Sequence, residues 1–263
     1  MNRPLIALTV AAALAAPALA ATAYDTILAG AWRSDANKAR DQYRHPAQTL
    51  AFIGVKPTMT VVEIWPSGGW YTEILAPYLK DKGQLYGALG YSTDPAKTEK
   101  SVTTFKTKFA NVPGGDKVKL TAFGKDSGPI APAGSADAVL TFRNVHNWYI
   151  GGFAPQAFAA FNAALKPGGI LGIEEHRLPE DKPDAMQKDS GYMKRSTVVK
   201  LATDAGFKLV GESKINANPK DTHDYPKGVW TLPPTYDAGD QDRAKYAAIG
   251  ESDRMTLKFV KVR

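Results

Sequence analysis

The chain contains no cysteine. That absence excludes disulfide staples, a thiolate nucleophile and thiolate-held zinc or iron–sulfur centres. It equally excludes a lipoprotein, because there is no cysteine to acylate. Histidine is scarce, with four residues in 263, so imidazole chemistry rests on His45, His146, His176 and His223. Clustered charge is missing too. The 33 Lys and Arg against 26 Asp and Glu give a net charge of +7, with no run of five like charges. A basic nucleic-acid footprint needs clustering, so no nucleic-acid partner is expected. Long apolar runs are absent beyond the N-terminus, where Leu5–Ala16 is too short for a comfortable membrane span. Met1-Asn2-Arg3 before it and Ala18-Leu19-Ala20 after it give the pattern of a secretory signal peptide, cut after Ala20. The expectation is a periplasmic or secreted protein covering residues 21–263, with no transmembrane segment.

What is present is an alternation of strand and helix signals. The organising stretch is Val61–Leu75, VVEIWPSGGWYTEIL. Val61, Val62 and Ile64 form a short β-branched run around the acidic Glu63, Pro66-Ser67-Gly68-Gly69 turns the chain, and Trp70–Leu75 begins a helix. A strand, a small-residue turn and a helix N-terminus form the usual cradle for a nucleotide-like ligand. Before it, Tyr24–Tyr43 reads as a helix within an N-terminal helical segment, 24–45, bounded by Pro46. After it come strands at Leu85–Leu89, Val118–Ala122, Ala136–Phe142, Ile170–Glu174 and Phe207–Val210. Helices at Ala96–Phe109, Phe153–Leu165 and Thr197–Ala205 separate them, and Lys166-Pro167-Gly168-Gly169 stops the second of these. Asn216–Ser252, rich in Pro, Gly, Asp and Lys, reads as a long excursion before a strictly alternating last strand, Met255–Val262. The pattern predicts one α/β domain with a mostly parallel sheet and crossover helices.

Five blocks in order resemble class I S-adenosylmethionine-dependent methyltransferases: VVEIWPSGGWYTEIL, Asp126 after the third strand, DAVLTFRNVHNW, FNAALKPGGILGIEEH and LATDAGFKLV. RDQYRHPAQTLAFIG, WYTEILAPYL and ESDRMTLKFVKVR further resemble a subgroup of exported methyltransferases of unassigned substrate. The resemblance implies a Rossmann-like sandwich, a seven-stranded mostly parallel sheet with helices on both faces and an antiparallel last-formed strand. It implies S-adenosylmethionine as cofactor, held by Glu63, Ser67, Gly68, Gly69 and Asp126, and a small or medium acceptor molecule as substrate. Two positions depart from the family. Trp65, Ser67 and Gly69 stand where it carries three glycines, and Ala88-Leu89-Gly90-Tyr91 offers no carboxylate for a ribose.

Ligands of open α/β sheets bind outside the carboxyl ends of the strands. The loops after the first, fourth and fifth strands therefore converge, bringing Arg143, Asn144 and Trp148 towards the acceptor. His146 and His176 are the candidate general bases, because imidazole titrates near neutrality. Along the fifth strand, alternation puts only Glu174 and His176 on one side, too few ligands for a metal, and none is expected. The rival reading is an exported methyltransferase-like scaffold that binds another ligand without catalysis.

Overall fold

The computed structural model describes residues 24–262. The expected signal peptide, 1–20, lies outside the described residues. Among them no helix is long and apolar enough to cross a membrane.

Seven strands form one path, with an eighth, two-residue strand at its side. They are β1 (Thr60–Ile64), β2 (Gln84–Gly90), β3 (Lys119–Phe123), β4 (Ala136–Phe142), β5 (Leu165–Leu178), β6 (Met193–Lys194), β7 (Phe207–Ser213) and β8 (Arg254–Lys261). The order is β3-β2-β1-β4-β5-β8-β7, with β6 pairing β5. Pairing is parallel from β3 through β5, and β8 runs antiparallel to both β5 and β7. The seven-strand, mostly parallel expectation thus matches the sheet.

Helices cover both faces. On one lie α1 (Pro46–Ile53), α2 (Thr72–Leu79) and α3 (Pro95–Phe109), burying Leu50, Ile53, Ile74, Leu75 and Phe105. On the other lie α4 (Val145–Ile150), α5 (Ala154–Ala164) and α6 (Arg195–Asp204), burying Trp148, Phe158, Phe161 and Val198. Strand alternation divides the residues between them. Val62 and Ile64 join the α4–α6 face while Val61 joins the α1–α3 face, so Glu63 points towards α2. In β5, Leu171 and Ile173 join the α4–α6 face, which carries Glu175 to α4 and leaves Glu174 for α2.

Three elements differ from the sequence reading. The helix expected over Tyr24–Tyr43 is broken into short turns, including Asp35–Lys38 and Asp41–Arg44, and His45 takes a left-handed backbone before α1. The Lys166–Gly169 stop lies inside β5, which starts at Leu165 and absorbs the turn as an irregularity in its pairing with β4. The excursion 216–252 contains a 3-10 turn, Gly228–Thr231, and a helix, α7 (Arg243–Ile249), and it folds back over the carboxyl ends of the strands.

Candidate active site

The chain leaves β1 through a strained loop. Trp65, Ser67 and Gly69 have φ of 46°, 51° and 71°. The left-handed conformation costs a non-glycine residue about 1–2 kcal/mol. The loop therefore keeps a backbone path suited to glycine at all three positions, although two carry side chains. Only Gly69 has no room for one: a Cβ there would stand 2.0 Å from the Phe109 ring of α3. Lys108 of α3 donates to the Gly68 carbonyl and ties the loop down from the same side. The Trp65 indole N–H reaches from the end of β1 past β2 to the Phe123 carbonyl at the end of β3, at 2.8 Å.

Beneath the loop, Glu63 is buried and accepts a 2.7 Å hydrogen bond from the Thr72 hydroxyl. Burial raises its pKa to about 7, against the opposing effect of the Thr72 bond. The folded protein thus holds a proton on Glu63 that the unfolded chain releases near 4.5. The native state binds the extra proton between those values, so stability falls as pH rises through this window, by about 3 kcal/mol in all. Glu63→Gln should remove this component, and urea unfolding at pH 5 and pH 8 checks it. An unchanged difference between the two pH values in the variant would show that Glu63 does not carry the proton.

Two cavities meet at Ser67 and Lys108, which border both. One, of about 480 Å³, is walled by Trp65, Leu89, Gly90, Phe105 and Phe109. The other, of about 430 Å³, lies over the ends of β1, β4 and β5. Its lining includes Arg143, Asn144, His146 and His176, Arg40 and Arg44 from the N-terminal segment, and Trp230, Glu251 and Ser252 from the excursion. A small recess of about 110 Å³ runs from Ser67 and Arg143 down to Glu63.

At the second cavity His146 and Glu175 form a dyad. His146 Nδ1 stands 2.9 Å from Glu175 Oε1. Glu175 is wholly buried, and its carboxylate also accepts the backbone N–H groups of Val145 (2.5 Å), His146 (3.4 Å) and His176 (2.9 Å). A carboxylate that only accepts makes His146 Nδ1 the donor; in the neutral ring the lone pair then lies on Nε2. His176 differs. Burial first, and then the charges of Arg143, Arg254 and Arg44, press its pKa well below the ordinary imidazole value. It is a neutral ring hydrogen-bonded through Nδ1 to the Ser252 hydroxyl at 2.6 Å.

Around them stands a cluster of guanidinium groups. Glu251 binds Arg40 Nε at 2.7 Å, Arg44 Nε at 2.9 Å and Arg254 Nη1 at 2.7 Å. Glu174 takes the Tyr71 hydroxyl at 3.0 Å and lies 3.2 Å from Arg254 Nη1. Burial alone would raise Glu251, but Arg254, Arg44, Arg143 and Arg40 together hold it well below the usual carboxylate range.

Glu63, Ser67, Gly68, Arg143, Asn144, His146 and His176 therefore all border the joined cavities. Gly69 packs below the loop. Two expectations are corrected. Trp148 does not face an acceptor: it is 0% exposed, edge-on to Trp65, Phe123 and Phe161 in the core, because α4 turns its apolar side to the sheet. Asp126 sits on the exposed loop beyond β3, outside the residues lining these cavities. The carboxylate that joins the two histidines is Glu175, not Glu174, and the three offer ligand atoms within 4.8 Å of one another. Both Glu175 oxygens are already engaged, and the neighbouring arginines make this cavity unfavourable for a cation. Sequence reasoning overlooked Arg40, Arg44, Glu251 and Ser252. Their signal was the pair of blocks RDQYR and ESDR, which are distant along the chain and meet here.

With this geometry the chain superposes on solved structures. A methyltransferase from Aquifex aeolicus described as S-adenosylmethionine-dependent aligns over 93% of this chain and 97% of its own, with a TM-score of 0.55 at 14% identity. One from Mesorhizobium loti aligns over 86% and 100%, with a TM-score of 0.52 at 12% identity. The fold is the S-adenosylmethionine-dependent methyltransferase fold. The [4+2]-cyclase SpnF also shares it, over 89% and 84%, with a TM-score of 0.57 at 16% identity. No protein-family model matches the chain, and no curated protein matches its sequence.

Proposed function

We propose that this chain is an S-adenosylmethionine-dependent methyltransferase that uses His146 as general base on a small acceptor. The observation that carries the reading is the His146–Glu175 dyad bordering the cavity that the β1 loop also borders. Fold likeness alone would not suffice, since one fold hosts many chemistries.

The residues present fit the cofactor. The loop keeps at Trp65, Ser67 and Gly69 the left-handed path that glycines would take, and Gly68, with open space where a Cβ would stand, exposes main chain to the cavity. Glu63 at the end of its recess would hold the ammonium of the amino-acid part, and a cation there would favour ionised Glu63. The cavity walled by Leu89, Gly90 and Phe105 would take the adenosine, through shape and apolar contact in place of a ribose-binding carboxylate. When bound, S-adenosylmethionine supplies an electrophilic methyl group.

The rest is done by the chain. Glu175 fixes the His146 tautomer, and His146 Nε2 takes the acceptor proton as the acceptor lone pair is aligned. Arg143 and Asn144 orient the acceptor. Asn144 is itself held by a 3.1 Å bond from its amide to the Ile64 carbonyl.

Calorimetric titration of S-adenosylmethionine into residues 21–263, beside Glu63→Ala, tests the reading. Micromolar binding that weakens at least tenfold in the variant is expected. Absence of binding to the folded protein up to millimolar ligand would sink the methyltransferase reading and leave a scaffold for another ligand.

A further inference from the structure

We infer that the Arg40–Arg44–Arg143 corner of the second cavity is an anion-recognition subsite, and that the acceptor carries a carboxylate or phosphate. The acceptor assignment rests on the methyltransferase reading; the anion subsite does not.

Charge balance and unfilled hydrogen bonds lead to the same place. Arg40, Arg44, Arg143 and Arg254 gather around only two carboxylates, Glu174 and Glu251. Four positive charges against two negative leave an excess of two, with Arg44 and Arg254 buried and Arg40 and Arg143 less than a quarter exposed. A closed structural network would be balanced, because buried unpaired charge is costly. The donors are also not used up. Arg44 Nη1, Arg40 Nη2 and Arg143 Nη1 are buried without a hydrogen-bond partner. The Arg44 side chain is 2% exposed and still lines the cavity. Arg143 Nη1 stands 3.8 Å from Glu251 and 3.9 Å from Glu174, close enough for attraction and too far for a hydrogen bond.

Arg143 takes a left-handed backbone, φ 59°, at the end of β4, and its side chain borders the cavity. Planar guanidinium forks suit carboxylate and phosphate oxygens, which accept paired N–H bonds. An anion seated there would share the cavity with His146, leaving the rest of the molecule within reach of the base. The same chemistry would also hold the carboxylate of the cofactor, so the test must separate the two sources.

Inorganic phosphate is titrated calorimetrically into the protein at ionic strength held constant with chloride. The titration is repeated with saturating S-adenosylhomocysteine, and again on Arg143→Gln and Arg40→Gln. Saturable one-to-one binding is expected, weakened about tenfold or more in Arg143→Gln, and compatible with bound S-adenosylhomocysteine. No saturable binding, or binding that both variants retain in full, overturns the subsite. Mutual exclusion of phosphate and S-adenosylhomocysteine assigns the corner to the cofactor carboxylate and overturns the anionic acceptor. Phosphate binding by a protein that ignores S-adenosylhomocysteine keeps the anion subsite and removes methyl transfer, so the two failures read separately.

Discussion

Glu251→Gln should destabilise the protein by about 3–5 kcal/mol, the usual cost of stripping one partner from a buried ion cluster. For a chain of this size that lowers the melting temperature by roughly 10 °C. Glu251 binds Arg40, Arg44 and Arg254 at 2.7–2.9 Å. It also joins the N-terminal segment to the start of β8, so its loss releases two parts of the chain from each other. A glutamine keeps the volume but presents an amide N–H₂ to guanidinium groups that only donate. Glu174 is then the one carboxylate for four arginines. The pH dependence has a definite sign. The folded pKa of Glu251 is depressed, so its contribution is complete above its ordinary value of about 4.5 and drains away as pH falls below it. Parent and variant should differ most near neutrality and converge in acid. Phosphate should restore part of the lost stability, because it supplies the negative charge that was removed. A variant melting within 1 °C of the parent at pH 7 would show that the cluster is not a fastening of the fold.

The fold was legible because its signals are local. β4, Ala136–Phe142, follows a run of buried apolar residues, and α3 begins at Pro95 after Asp94, whose carboxylate caps the Ala96 N–H. The N-terminal segment was less legible. Ile27, Leu28, Ala31 and Trp32 have helical spacing, yet their partners are distant: Ile27 is buried with α2, and the Trp32 indole donates to the Glu73 carbonyl at 2.9 Å. Tertiary contact outweighed propensity there. At the cavity, Glu63, Arg143 and His146 could be placed because Glu63 lies at the carboxyl end of β1 and the other two follow β4 within four residues. The correct partner of His146 also follows from alternation once α4 is placed on the Leu171–Ile173 face, since Glu175 shares that side. Arg40, Arg44 and Glu251 were not readable in this way. They reach the cavity through an irregular segment and a long excursion, and no periodicity encodes where such segments fold back. Trp148 misled for the opposite reason, as a residue in an active-site block that the core takes for packing.

His146→Gln should lower kcat/KM by about 10²–10⁴-fold, the range lost with a positioned general base. The assay uses an acceptor found among hydroxyl- and amine-bearing carboxylates and phosphates. The acid limb of the kcat/KM profile, which reports protonation of the free enzyme's base, should vanish with it. Glu175→Gln should lose less in binding than in rate. It acts through His146 and would disturb the tautomer, so kcat falls while KM stays within a few-fold and the pH profile changes shape. A purely structural role for Glu175 would lower folded yield without moving that profile. His176 provides the internal control. Burial keeps its ring neutral and weakens it as a base, and its Nδ1 is engaged with Ser252 at 2.6 Å, so the expectation is that it holds the cavity wall while His146 takes the proton. His176→Gln should therefore cost less than tenfold in kcat and leave the acid limb in place. Full activity in His146→Gln would mean that the acceptor attacks with a lone pair already free of a proton, and alignment in the cavity would then account for the rate. Equal losses in His146→Gln and His176→Gln, both erasing the acid limb, would instead assign the base to the pair of rings, which stand 5.3 Å apart between centroids.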